Sequence, residues 1–158
     1  MAEGSEESTE KGVDIEELKS KFLDLEFDSK EFTIKPENIL AVAEASGEQR
    51  PEFTDPNHPD FQAPPQFLCS LASGRHLPID FPSLGGIPMD GGKAVTRHAP
   101  VRPNQTLIGK THLHEIYDKA GRSGRMILIV ARMELYDTNE QHLATADSRM
   151  VIREKPAA

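Results

Sequence analysis

From Gly92 onward the chain reads as four strand-like runs joined by short turns, and this constrains the fold more than any other feature. The runs are GKAVTRHAPV, QTLIGKTHLHEIYDKA, RMILIVARMELYD and HLATADSRMVIRE. The joints RPN, GRSG and TNEQ carry residues that suit turns. In the third run Met126, Leu128 and Val130 point one way, and Ile127, Ile129, Ala131 and Met133 point the other. That is the pattern of a central strand buried on both faces. In the fourth, Ala144, Ala146, Ser148, Met150 and Ile152 share a face, and its small members leave room for something packed close.

The first half supplies what such a sheet covers. VDIEELKSKFLDL sets Ile15, Leu18, Phe22 and Leu25 at helical spacing, and LEFDSKEFTI alternates as a strand anchored by Leu25, Phe27, Phe32 and Ile34. KPENILAVAEASG is the clearest helix. Pro36 suits its first turn and Gly47 its left-handed stop, with Ile39, Val42, Ala43 and Ser46 on one face. Residues 48–66 hold five prolines and read as a loop or short turns, and PPQFLCSLAS reads as a second short helix ended at Gly74. Residues 74–92, with five glycines and three prolines, read as a long irregular connection, and such loops are often functional. One strand, one buried helix and a four-stranded antiparallel meander give an α+β domain whose curved sheet wraps a central helix.

Charge and cysteine content exclude several classes. Residues 1–28 hold ten acids and three bases (−7) and residues 29–158 hold sixteen and fifteen (−1), which together give the net −8. The acidity sits at the N-terminus, where residues 1–12 read as a disordered tail. The near-neutral body offers neither a basic stripe nor an aromatic ladder for nucleic acid. No apolar run approaches the roughly 20 residues of a membrane span, and MAEGSEESTEKG lacks the basic and apolar regions of a signal peptide. The lone Cys69 fits a reducing cytoplasm, the expected location, and sits in an apolar stretch as a small buried residue.

Four stretches, in order, resemble the MaoC-like dehydratases, which have the hotdog fold. FTIKPENILAVAEASGEQRP resembles the family's strand, central helix and following loop; APPQF at 63–67 resembles its Ala-Pro-Pro-Thr-Phe turn. GGKAVTRHAPVRPNQTL resembles its glycine, strand and RPGDTL segment, and residues 117–153 its hairpin and closing strand. The resemblance spans residues 13–153 as a single hotdog domain, with 154–158 as a frayed end. It implies dimers, or dimers of dimers, whose sheets join edge to edge. It also implies binding of acyl-CoA or acyl-carrier-protein thioesters, and reversible hydration of a 2-enoyl thioester to the (R)-3-hydroxyacyl thioester. No cofactor is implied beyond coenzyme A carried as part of the substrate.

That reaction needs a base for the water, an acid for C2 and stabilisation of the thioester enolate. Family members resembling S-G-D-x-N-P-[apolar]-H use the Asp and the His. Here Ser46, Gly47 and Pro51 match, but Glu48 stands at the Asp position, Arg50 at the Asn and Phe53 at the His. Phenylalanine transfers no proton, so the dyad is degenerate and no catalytic residue is expected in this chain. The resemblance then implies the non-catalytic half of a hydratase, with Asp and His supplied by a second MaoC-like hotdog chain. Ala63, Pro64, Pro65 and Phe67, with Met89, Gly91 and Gly92, would line the acyl tunnel or the dimer seam.

Alternatives remain open. Chemistry rebuilt from Asp55 and His58, with Glu48 as a further group, would make the chain self-sufficient. The same Asp-Pro-Asn-His reads equally as a turn whose side chains cap backbone groups. A non-enzymatic acyl-binding or structural hotdog protein is a further alternative, and so is a thioesterase using Glu44 or Glu48. Lys93, Arg97, Arg102, Lys110, Lys119, Arg122 and Arg125 include candidates for the phosphates of coenzyme A, Lys93 and Arg97 foremost; solvated strand-edge charge explains each equally well. Gly85-Gly86 and Gly91-Gly92 allow close backbone approach but precede no Lys-Ser/Thr, so they form no phosphate loop. His112 and His114 lie two apart on one strand, a spacing metal ligands use; with no third ligand near in sequence, no metal is expected. No G-x-S-x-G elbow is present, which argues against an α/β-type serine hydrolase.

Overall fold

A computed structural model describes residues 12–154. The tail expected over 1–12 lies outside these residues except for Gly12. The frayed end expected over 154–158 does so except for Glu154, which is tied to Arg125 through its backbone N–H and a 3.1 Å ion pair.

Helix α1 (Ile15–Phe22) starts where Asp14 accepts the N–H of Glu17, with Glu16 and Glu17 in the first turn and Lys19 and Lys21 in the last. It buries Ile15, Leu18 and Phe22. It stops short of the expected Leu25, which is 45 % exposed, because Asp24 takes the left-handed conformation (φ 61°) and turns the chain into β1 (Glu26–Thr33). Helix α2 (Pro36–Ala45) has proline in its first turn and Gly47 at φ 70° just beyond its end, and it buries Ile39 and Ala43. The proline-rich stretch that follows holds two single-turn helices, α3 (Pro51–Thr54) and α4 (Pro65–Leu68), the latter shorter than the sequence suggested.

Four further strands complete one antiparallel, curved sheet: β2 (Ile87–Arg97), β3 (Thr106–Gly121), β4 (Gly124–Tyr136) and β5 (His142–Arg153). Their order is β1-β3-β4-β5-β2. The expected four-stranded meander is therefore three strands long, because β2 lies at the far edge against β5. The RPN segment does not form a hairpin between β2 and β3. Its backbone is held by other elements: the Val101 carbonyl accepts from the Ala63 N–H, and the Asn104 N–H donates to the Ile34 carbonyl. Strand β2 also starts earlier than expected, at Ile87, since a bulge between Asp90 and Lys93, with Gly92 at φ 96°, absorbs the glycine pair.

Two clusters cover the inner face of the sheet. One joins Ile39 of α2 to Phe61, Phe67, Leu107, Leu135 and Leu143; the other joins Ile15, Leu18 and Phe22 of α1 to Leu113, Ile116, Ile127 and Ile129. Most of the site lies where neither cluster fills the space.

Candidate functional site

Between the two clusters the sheet carries a cavity of about 360 Å³. Its floor is made of Ile129, Ala131 and Met133 from β4 and Ala146, Ser148 and Met150 from β5. The volume exists because the small side chains of Ala131, Ala146 and Ser148 stand where larger ones would close the gap. Leu68, Cys69 and Leu71 at and beyond the end of α4 form one wall, and Met89, Lys93 and Val95 of β2 form another. The Lys93 ammonium crosses to donate to the Cys69 carbonyl at 3.0 Å. Thr111 of β3, 1 % exposed, contributes to the lining with its hydroxyl unpartnered.

Glu48 and Phe53, the positions expected to hold a degenerate dyad, are not in the cavity lining. The Glu48 carboxylate accepts from the Arg50 guanidinium in two bonds of 2.8 and 2.9 Å and from the Gln66 amide at 3.1 Å, and its side chain is only 9 % exposed. These donors, Arg50 foremost and then Gln66, hold Glu48 well below the usual carboxylate range. Such a carboxylate is a poor proton acceptor at neutral pH. Phe53 is buried, with the Arg50 guanidinium carbon 4.6 Å and that of Arg97 5.9 Å from its ring centre. An ion pair and a buried phenyl ring thus occupy positions 48 and 53.

The depressed Glu48 sets a pH prediction. A carboxylate whose folded pKa lies below its unfolded value of about 4.3 adds stability that is full above that value and is lost as pH falls toward the folded one. Glu48→Gln should therefore lower the melting temperature at neutral pH, and the gap to the unsubstituted protein should narrow as pH drops below about 4. Melting curves over that range check it; a gap that widens on acidification contradicts it.

Asp55 and His58 are spent on the loop itself. Asp55 accepts the N–H of Asn57 at 2.9 Å and His58 Nδ1 accepts the N–H of Asp60 at 3.0 Å. Among the described residues no hydrogen bond joins the two side chains, and neither lines the cavity. The expected acyl-binding set divides. Met89 and Lys93 reach the cavity, while Gly91 lines a depression on the opposite face of the sheet and Gly92 forms the bulge. Ala63 and Phe67 are core residues, Pro64 is buried, and Pro65 begins α4. Arg97 bonds the Gln62 side chain and lies near Phe53. Gln66, which clamps Glu48 from 18 positions away, carried no signal beyond its place in the APPQF turn.

The sequence profile of the family described as "FAS1-like, dehydratase domain region" matches residues 22–146. No curated protein matches the chain. Among solved structures, the C-terminally truncated (3R)-hydroxyacyl-ACP dehydratase complex HadBC of Mycobacterium tuberculosis is similar, with TM-score 0.64 and 17 % identity over 85 % of this chain and 99 % of that one. A MaoC-like dehydratase of Rhodospirillum rubrum aligns with TM-score 0.56 and 15 % identity over 89 % and 98 % of the two chains. One of Phytophthora capsici aligns with TM-score 0.61 and 21 % identity over 92 % of this chain and 51 % of its own. These similarities establish the hotdog fold of the MaoC-like dehydratases.

Proposed function

Because the chain belongs to the FAS1-like dehydratase domain region family, we propose that it is the dyad-lacking half of an enoyl-thioester hydratase, working beside a second hotdog chain that carries Asp and His. The observation that carries this reading is the filled dyad: Glu48 held as a carboxylate by Arg50 and Gln66, and Phe53 buried at the histidine position. Phe53 exchanges no proton, and Glu48, held by Arg50 and Gln66, is a weakened base, so the two do not make an acid–base pair.

What this half contributes is space and position. The cavity, apolar on its floor and with Lys93 on its β2 wall, suits an acyl chain with a phosphate-bearing carrier outside. Helix α4 joins the two regions, since Gln66 holds Glu48 while Leu68 and Cys69 face the acyl chain. Burying acyl methylenes at roughly 0.8 kcal/mol each would fix the thioester relative to the partner's base and acid. The reaction moves two protons and one water, so it requires no cofactor. Ile87, 55 % exposed, and Met89, 42 % exposed, stand on the edge strand β2, Met89 also lining the cavity, an apolar edge that a second hotdog chain would cover. Among the described residues no helix is long and apolar enough to cross a membrane.

The test is enoyl-CoA hydration, followed by loss of absorbance of the conjugated thioester. The chain alone should show no rate above the uncatalysed background, and the pair should turn over. Hydration by the isolated chain at a rate equal to that of the pair would reject the reading.

A further inference from the structure

Where the corner between α1 and β1 meets β3, away from the cavity, two imidazoles and a carboxylate converge. Asp24, His112 and His114 place one ligand atom each within 4.8 Å of one another, and the two imidazole centres are 5.8 Å apart. The backbone enforces the meeting. The Asp24 N–H donates to the Leu113 carbonyl at 2.7 Å, and the Leu113 N–H donates to the Leu25 carbonyl at 3.3 Å. The corner is thus clasped to the one residue that separates the histidines. A bulge between Leu113 and Glu115 takes His114 out of regular pairing. Asp24 itself is left-handed, a conformation aspartate tolerates better than most residues.

Acidic groups surround the cluster, alongside Arg149, which shares a depression with His114, Glu115 and Asp147. Glu26 lies opposite His112 across the strand pair, and Glu115 is exposed next to His114. Arg132, opposite His112 on β4, is already engaged by Asp147 through bonds of 2.7 and 2.9 Å, so its charge is compensated. Lys110 is turned over the Tyr136 ring.

We propose that Asp24, His112 and His114 bind a zinc ion, with water as the fourth ligand. Two imidazoles and a carboxylate suit zinc, whose bonds of about 2.0–2.2 Å in a tetrahedral set need donors near 3.4 Å apart. Separations within 4.8 Å reach that spacing by a closure of at most about 1.4 Å, taken up by one exposed and two half-buried side chains. The ion would pin the α1–β1 corner to β3, a role separate from the thioester reaction.

The test uses the full chain without a histidine tag. Equilibrium dialysis should give one zinc per chain, and cobalt in its place should give the intense visible bands of a tetrahedral site. His112→Ala, His114→Ala and Asp24→Asn should each weaken zinc by about 100-fold or more, since losing even an outer partner of a ligand costs roughly 10–100-fold. Asparagine keeps the left-handed corner, so Asp24→Asn separates a lost ligand from a lost fold. His98→Ala, which alters the other close histidine pair, should leave zinc binding unchanged. No saturable binding, or binding that survives His112→Ala with His114→Ala or follows His98, overturns the site.

Discussion

Phe53→Ala should cost about 3 kcal/mol of folding stability, at the lower end for emptying a buried aromatic position. Phe53 is 3 % exposed, yet two of its near neighbours are guanidinium groups, Arg50 and Arg97, so removing the ring also removes their cation–π partner. Part of the gap can close by movement of those flexible side chains, which is why the lower end applies. The urea midpoint should fall with little change in slope. Hydration per folded pair should be retained, because the ring holds the loop and touches no reacting atom. Phe53→His should likewise confer no hydration on the isolated chain. The new imidazole would sit near two guanidiniums, and its would-be partner Glu48 would still be locked by Arg50 and Gln66. A stable Phe53→Ala protein whose pair has lost hydration would show that this position serves the chemistry after all.

In the assembled pair, replacing the partner's catalytic histidine by alanine should lower hydration by about 10²–10⁴-fold, the contribution typical of a positioned acid or base. Asp55→Asn and His58→Ala in this chain should stay within about twofold, since substitutions away from buried networks usually change energies by no more than 0.5 kcal/mol. The asymmetry follows from what the side chains hold. Asp55 and His58 each accept one backbone N–H of an exposed turn, bonds that order the loop, and neither lines the cavity. A loss near 100-fold in His58→Ala, with the fold intact, would place the chemistry in this chain.

Local patterns made much of this legible from sequence. Pro36 and Gly47 bracket α2, the apolar run at 125–137 gives the central strand β4, and the segments at 121–124 and 138–141 are turns; β4 is nonetheless buried along one face, with Met126, Leu128, Arg132 and Glu134 only half-buried on the other. The reading of Glu48 and Phe53 as degenerate dyad positions comes from a short contiguous pattern and belongs to the proposal. What escaped was non-local. Nothing in residues 87–97 says that this strand passes β3 and pairs with β5, because that choice is made by where the 98–105 connection docks. The end of α1 depends on a left-handed aspartate that its own helical periodicity does not reveal. That aspartate then meets two histidines from a distant strand, so a histidine pair with no visible third ligand gains one only in the fold. The acyl-binding set divided on similar grounds: Ala63 and Phe67, expected along the tunnel or the dimer seam, pack in the core, and burial in a core and lining of a cavity look alike in sequence.

As proposed, this chain completes a site whose acid and base come from another chain. Native mass spectrometry of the chain purified from its own cells tests it most directly. The expected result is a hetero-oligomer with a second hotdog chain of similar size that carries an intact Asp/His motif. Complexes containing only copies of this chain, with filled dyads in every subunit, would contradict it.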